Sequence, residues 1–442
     1  MNWPAYPEYK DSGVGAIDKI PKQWVVGALK RWITSVESGT SVNAADIAAL
    51  PGQVGVLKTS CVYTGQFDID ENKTVVPEEL DRVTCEVTIG SLIVSRMNTP
   101  DLVGSAGYVK ESRPGIYLPD RLWQVNFEGL SAKWVGYWSK TQTYRDQIRL
   151  ISVGASSSMH NISQPDYGAF LLAVPPQDEQ DAISDFLDRE TTKIDALIDK
   201  QNQLIATLRE DRTATITHAV TKGLNPDAEM EDTGVAWLGE MPRHWSVSRF
   251  SRHIAIRGGQ VDPRLSPYRD MPLIAPNHVE SRTGVLIGLE SAADQGADSG
   301  KYLVDSGRII YSKIRPNLAK AVIAPCNCLC SADMYALSPD RLCFETAFVL
   351  RMLLSKPFTD YVVDSSMRVA MPKVNHESLG AAPVWIPPLE EQRAIITHLD
   401  SECARVDTLI AKAAEVIEML REFRSALITA AVTGKIDVRE VA

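Results

Sequence analysis

The chain has 442 residues, of which 44% are hydrophobic and 23% charged, a balance that suits a soluble protein of two or three domains and leaves too much chain for one core. Its net charge of −10 counts against a self-sufficient DNA binder, which would carry a clear basic excess. No run of eighteen apolar residues occurs, the N-terminus lacks the layout of a secretory signal, and the seven cysteines are odd in number and irregularly spaced; a cytoplasmic, reducing location without a membrane is expected.

From the N-terminus, the first recognisable unit is a short box, "DSGVGAIDKIPKQW" (Asp11 to Trp24). A variable block over 25–174 follows, built of short β-branched runs punctuated by Gly, Pro, Asn and Asp. Within it, "GSLIVSRMNTPDLVGSAGYV" from Gly90 reads as strand, polar basic turn, strand.

The next element is a long helix. From Gln177 to Lys222 there is neither glycine nor proline, Pro175 and Pro176 stand before it, and Gly223 closes it. At 1.5 Å per residue the rod reaches about 65 Å. Leu187, Ile194, Leu197, Leu204 and Leu208 recur at three-four spacing and predict a coiled-coil seam.

A second box, "DTGVAWLGEMPRHW" (Asp232 to Trp245), then opens a second variable block up to 386. Here "GRIIYSKIRPNLAKAVIAP" from Gly307 is again strand, basic turn, strand. The alternating cysteines of "CNCLC" (Cys326, Cys328, Cys330) lack the paired spacing of a zinc site and read as one face of a buried strand. "SPDRLCFETA" carries Thr346 where a nuclease spacing would need lysine, so strand, turn and helix is the reading there.

The second rod runs from Leu389 to Thr433 between Pro387–Pro388 and Gly434, with Leu399, Val406, Leu409, Val416, Leu420, Phe423 and Leu427 in the register of the first. At an offset of 212 residues, 24 of the 47 positions in 175–221 and 387–433 are identical, including Glu179/Glu391, Gln180/Gln392, Asp195/Asp407 and Arg212/Arg424. The blocks also match at their ends, where Met159 meets Met371 and Ile162 meets Val374. The order is therefore box, variable block, rod, twice over. Two rods of one length and register most simply pair with each other; periodicity leaves their relative direction open. The excess acid sits mostly in the rod segments, with six basic to ten acidic residues over 175–222 and seven to ten over 387–442.

Two "PP-x-x-EQ" rod openings, two "GV…(I/M)P-x-x-W" boxes and two divergent blocks resemble the specificity subunit of a type I restriction-modification system, over nearly the whole chain. "LKTSCVYTGQFDIDENK" (Leu57 to Lys73) is similar to one known variety of target-recognition block in that family. The resemblance implies an α+β fold with an internal pseudo-twofold: target-recognition domains at 1–174 and 223–386, a central long helix at 175–222 and a C-terminal one at 387–442, the helices forming an antiparallel coiled coil. It further implies that each α/β domain reads one half of a bipartite, asymmetric DNA site, that the coiled coil sets the spacer, and that two methyltransferase subunits and motor-nuclease subunits bind. S-adenosylmethionine, ATP and magnesium would belong to those partners, with no cofactor in this chain.

Base reading needs Arg, Lys, Asn, Gln, Ser or similar donors on loops that reach groove edges. The expected DNA contacts are Lys58, Ser95, Arg96, Asn98, His160 and Asn161 in the first block. In the second they are Asn277, His278, Lys313, Arg315, Asn317, Lys320, Arg368 and Lys373. Glu179, Gln180, Glu391 and Gln392 are expected to satisfy free N–H groups of their own first helical turns, and Trp24 and Trp245 to pack each box against a rod end. No catalytic or metal-ligating residues are expected. The phosphate-loop pattern, the dinucleotide glycine pattern and the "(N/D)PP(Y/F)" motif of amino-methyltransferases do not occur. The alternatives are a stand-alone two-domain DNA methyltransferase or nuclease, which the missing motifs oppose, and a coiled-coil scaffold without a nucleic-acid role.

Overall fold

The computed structural model describes residues 3–15, 17–156, 159–366 and 372–439. The chain divides into two compact units: 1–200 with 415–442, and 201–414. Each contains one variable block, here called a head, and one half of each rod. The rods are helices over Gln177–Lys222 and Leu389–Val432. Among the described residues no helix is long and apolar enough to cross a membrane.

The two heads repeat one topology. In the first unit an antiparallel sheet runs in the order Ile33–Ser38, Leu122–Phe127, Leu92–Ser95, Ala106–Tyr108. In the second, the order is Ile254–Arg257, Met334–Pro339, Ile309–Ser312, Ala321–Ile323, with the same antiparallel neighbours. Both basic turns thus join two hairpin strands of the main sheet. A pair of helices follows in each head, Ala132–Trp138 with Gln142–Ile151 and Thr346–Leu354 with Lys356–Ser366. The second sheets differ: four strands in the first head, five in the second. Cys328 and Cys330 lie on the Cys328–Cys330 strand inside that five-stranded sheet and are fully buried.

Each head closes on itself just where its rod begins. Val25 pairs with Val174 and Ser246 with Ile386, first strand against last. That register puts Trp24 beside Pro175 and Trp245 beside Pro387, so box and rod opening meet without any long-range search. Trp24 donates its indole N–H to Glu179 Oε1 at 2.9 Å, and Trp245 donates to Glu391 Oε2 at 3.0 Å. The neighbouring glutamines do a second job. Gln180 accepts from the Ser131 amide at 2.7 Å and donates to Pro175 O at 2.9 Å; Gln392 accepts from the Glu345 amide at 2.9 Å and donates to Pro387 O at 2.8 Å. The expectation that these four side chains satisfy amides of their own first turns is corrected. They clamp the box and the first head helix onto the rod, because a buried indole N–H and a helix-start amide have no water to bond.

The far ends of the rods reach the same junctions. In the first unit Gly434, at φ +73°, follows the second rod; a Cβ there would lie 2.5 Å from Pro21 Cδ and 3.2 Å from the Trp24 ring. In the second unit Gly223, at φ +75°, follows the first rod; a Cβ there would lie 2.8 Å from Glu391 Oε1. Left-handed backbone and close approach both demand glycine. Since each unit brings the start of one rod to the end of the other, the rods run antiparallel.

Packing between the rods follows the same symmetry. In the first unit Leu187 and Ile194 share a core with Leu427, Ile428 and Ala431; in the second Ile216, Ala219 and Val220 share one with Ile395, Leu399 and Cys403. Asp195 pairs with Arg424 at 3.0 Å and Asp407 with Arg212 at 3.5 Å, so each repeated arginine meets the aspartate of the other copy. The seam departs from its sequence-based register. Leu187, Ile194, Leu399, Val406 and Leu427 are buried as expected, but Leu197, Leu204, Leu409 and Phe423 are 40–47% exposed, while Ala413 and Ile417 are buried. The buried row on the second rod steps through Cys403, Val406, Ala413 and Ile417.

Candidate nucleic-acid interface

The first basic turn is built where three short strands meet. Met97–Asn98 pairs with Met159–Asn161, which pairs with Val153–Ser156. The Ile162 amide donates to Arg96 O at 3.0 Å, so Arg96, Asn98, His160 and Asn161 are drawn together from sixty residues apart in sequence. Arg96, His160 and Asn161 are half-buried. His160 Nδ1 lies 3.2 Å from Ser152 Oγ. Arg96 Nε and Asn161 Oδ1 are buried with no hydrogen-bond partner among the described residues.

Ser95 and Asn98 do not face solvent, and the expectation of DNA contact by these two is corrected. Ser95 is fully buried and Asn98 nearly so; Asn98 donates to Ser95 Oγ at 3.2 Å and to Tyr63 Oη at 3.0 Å. Their place is under the turn, where they hold its shape. Lys58 is half-buried, 3.3 Å from Asp46, which also takes Lys73 at 3.3 Å, and its neighbour Thr59 lies 2.8 Å from Tyr63 Oη, the hydroxyl that Asn98 bonds. Hydrogen bonds from Lys58 and Lys73 hold the Asp46 carboxyl below the usual carboxylate range.

The second turn repeats the construction. The Val374 amide donates to Lys313 O at 2.8 Å, as Ile162 does to Arg96 O, and Ile314 bridges Lys373 as Met97 pairs with Asn161. Arg96 and Lys313 are therefore equivalent positions of two similar scaffolds. Lys313 Nζ lies 5.5 Å from the centre of the Tyr335 ring. Arg315 is exposed, held at φ +48° by a bond from its amide to Pro372 O at 3.1 Å. A left-handed arginine immediately before proline is strained, the kind of conformation that surrounding structure must impose. Asn317 and Lys373 are also exposed, the latter 3.9 Å from Asp333, and Lys320 donates to Pro276 O at 2.6 Å.

His278 is corrected too: it is 9% exposed and accepts the Ala275 amide at Nδ1, 3.2 Å, a local cap that keeps it out of solvent. Asn277 beside it is exposed. Arg368 and Met371 lie outside the described residues. Arg282 escaped the sequence reading. Its amide donates to Ala319 O at 3.2 Å and its guanidinium to Asn317 O at 3.2 Å, which places it on the second turn. No local signal marks it, since only tertiary pairing brings "ESRTG" to that turn. Arg282 also borders a groove of about 700 Å³ whose rim carries Arg209, His218, Lys222 and Lys356.

The arrangement defines a class: an internally repeated protein whose two similar heads present unlike side chains from one structural position, on a shared helical spine. Comparison with known proteins narrows this. The sequence profile of the type I restriction modification DNA specificity domain matches residues 254–419. The chain is 28% identical over 316 residues to the type I restriction enzyme EcoDI specificity subunit of Escherichia coli, covering 68% of this chain and 69% of that one. It is 22% identical over 441 residues to the putative type I restriction enzyme MjaX specificity subunit of Methanocaldococcus jannaschii, covering 96% of each. Its fold is that of a chain solved in a study of assembly and conformational transition of the type I R-M system (TM-score 0.63, 16% identity, 94% of this chain and 99% of that one). The HsdS subunit of Thermoanaerobacter tengcongensis also matches (TM-score 0.50, 15% identity, 94% and 98%). The chain is thus similar to type I restriction-modification specificity subunits in sequence and in fold.

Proposed function

We propose that this chain is the DNA-recognition subunit of a type I restriction-modification complex, each head reading one half of a bipartite, asymmetric site. The observation that carries the reading is the equivalence of Arg96 and Lys313: one scaffold, two copies, with a half-buried arginine at that position in one turn and, in the other, a lysine followed two residues on by the exposed Arg315. A repeated scaffold suits half-sites at fixed spacing, and divergent side chains make the halves differ. In this reading Arg96, His160 and Asn161 in the first head, and Arg282, Lys313, Arg315, Asn317 and Lys373 in the second, are the side chains assigned to DNA contact. Rod length sets the unread gap.

The chain itself is non-catalytic and cytoplasmic in this reading. Two methyltransferase subunits dock on the rods and motor-nuclease subunits complete the assembly; S-adenosylmethionine, ATP and magnesium bind those partners. The near-neutral charge of the heads supports this division, because partner subunits then supply most phosphate contacts and the salt-dependent share of affinity.

The test is sequencing of methylated bases in the source genome with and without the gene. Deletion should abolish methylation at one split motif. Exchanging residues 25–174 for the block of another family member should change one half of that motif and leave the other. Methyl transfer from S-adenosylmethionine by the purified chain alone, or a change in both halves on exchange of one block, would refute the proposal.

A further inference from the structure

We propose that His253, Asp340 and Cys343 form a divalent metal site, suited to zinc, at the base of the second head. One donor atom from each lies within 4.8 Å of the other two. Backbone geometry puts them there. Ile254 pairs with Pro339 at the end of two sheet strands, and the next residue on each side continues the contact, the Asp340 amide donating to His253 O at 2.7 Å. The chain then turns at once, the Cys343 amide donating to Asp340 O at 3.1 Å, which returns the thiol to 4.0 Å from Asp340 Oδ2. His253 Nε2 lies 3.0 Å from Ser248 Oγ on the adjacent strand Ser246–Arg249, and its ring packs edge-on to Phe344.

The donor set is one nitrogen, one carboxylate oxygen and one sulfur, which selects a borderline-soft ion such as zinc over magnesium or calcium. Metal–ligand bonds of about 2.0–2.3 Å place tetrahedral donors about 3.4–3.6 Å apart. Asp340 Oδ1 accepts the Leu342 amide at 3.0 Å, so the donor oxygen is Oδ2, which lies 4.0 Å from Cys343 Sγ; Asp340 is exposed and the other two half-buried. Water completes the fourth position. The Ser248 hydroxyl orients the imidazole, as outer-shell partners of ligating histidines do.

The first head shows that the fold does not require these side chains. There the Glu128 amide donates to Trp32 O at 2.8 Å, the counterpart of Asp340 and His253. Gln180 reaches Gly129 O as Gln392 reaches Cys343 O. Trp32, Glu128 and Gly129 thus stand where the second head has His253, Asp340 and Cys343. The same junction is built without a thiol or an imidazole, so their convergence in one head is not a packing necessity. A bound ion would tie the main sheet of the second head to the segment clamped by Gln392 on the second rod.

The full chain, stripped with chelator, is titrated with Co²⁺ as a spectroscopic probe and then with Zn²⁺. Expected are one Co²⁺ per chain, sulfur-to-cobalt charge-transfer absorption in the near ultraviolet, and loss of both on adding Zn²⁺. Cys343→Ser should abolish the charge-transfer band, and Ser248→Ala should weaken Zn²⁺ binding by about 10- to 100-fold. His253→Gln gives a second route if Cys343→Ser does not fold: binding should fall while far-ultraviolet circular dichroism is unchanged. No stoichiometric Co²⁺ binding, a thiolate band that survives Cys343→Ser, or Zn²⁺ affinity untouched by His253→Gln would overturn the proposal.

Discussion

Glutamate 179 offers the sharpest test of how the junctions hold the rods. Its side chain is buried and its Oε1 accepts both the Trp24 indole N–H at 2.9 Å and the Tyr6 hydroxyl. A hydrogen bond to a charged group contributes about 1.5–3 kcal/mol, so Glu179→Ala should destabilise the first unit by about 3–6 kcal/mol, with two buried donors left unsatisfied. Glu391 is the built-in comparison. It holds Trp245 at 3.0 Å, but its second partner, His244, has a side chain 53% exposed, and a solvated pair of that kind contributes about 0–1 kcal/mol. Glu391→Ala should therefore cost about 1.5–4 kcal/mol, the smaller loss of the two. Native-state hydrogen exchange is the suitable assay, because a chain of two units need not unfold in one step and exchange resolves each unit separately. The amides of 177–190 should lose protection in Glu179→Ala and those of 389–402 in Glu391→Ala. The reasoning fails if Glu179→Ala stays within about 0.5 kcal/mol of the parent, or if Glu391→Ala is the costlier change.

Three further outcomes follow from the same contacts. Ile194→Ala, at a position 5% exposed, should destabilise by about 2–4 kcal/mol, whereas Leu197→Ala, at 47% exposed, should cost less than about 1 kcal/mol; denaturant titration read by circular dichroism compares them. A double-mutant cycle on Asp195 and Arg424 should give a coupling of about 0.5–1.5 kcal/mol, and one on Asp407 and Arg212 somewhat less because that pair is longer; couplings below about 0.2 kcal/mol would remove the ion pairs from the account. Lys140 is half-buried over the Tyr137 ring, and burial, aided by the like charge of Arg424, pulls its amine down to about 8. Between that value and about 10.4 the unfolded chain binds the extra proton, so this lysine lowers stability below pH 8 and ceases to do so above about 10.4. Lys140→Met should thus stabilise the first unit by about 1–3 kcal/mol at pH 7, with the gain fading as pH rises through that window; a gain that grows with pH would contradict the assignment.

Much of the architecture was legible in one dimension because the chain repeats itself. Identity at an offset of 212 residues needs no three-dimensional information, and neither does a proline-to-glycine interval free of helix breakers, so the rods and their doubling were plain from Gln177–Lys222 and its copy. The basic hairpin turns were legible for a similar reason, as β-branched runs around "SRMN" and "SKIR" are local patterns. What the sequence could not reveal was which polar residues of those turns face outward. Ser95 and Arg96 are neighbours of equal promise on paper, yet Ser95 ends a strand covered on both faces and is buried, while Arg96 begins the turn and is half-exposed. His278 and Asn277 divide too, on a 3-10 turn where His278 folds back onto the Ala275 amide and Asn277 points out.

The sequence by itself determined the duplication, the helical rods and the family resemblance, all of which are encoded in residue order and short-range periodicity. Tertiary structure alone decided the antiparallel pairing, the seam that buries Ala413 and Ile417 in place of Leu409 and Phe423, and the meeting of Glu179 with Trp24. It also brought His253 to Asp340 and Cys343, and Arg282 to Asn317. These depend on pairing between strands and helices far apart in the chain, where strand register and the packing of unlike side chains select one contact among many that local pattern leaves equally open.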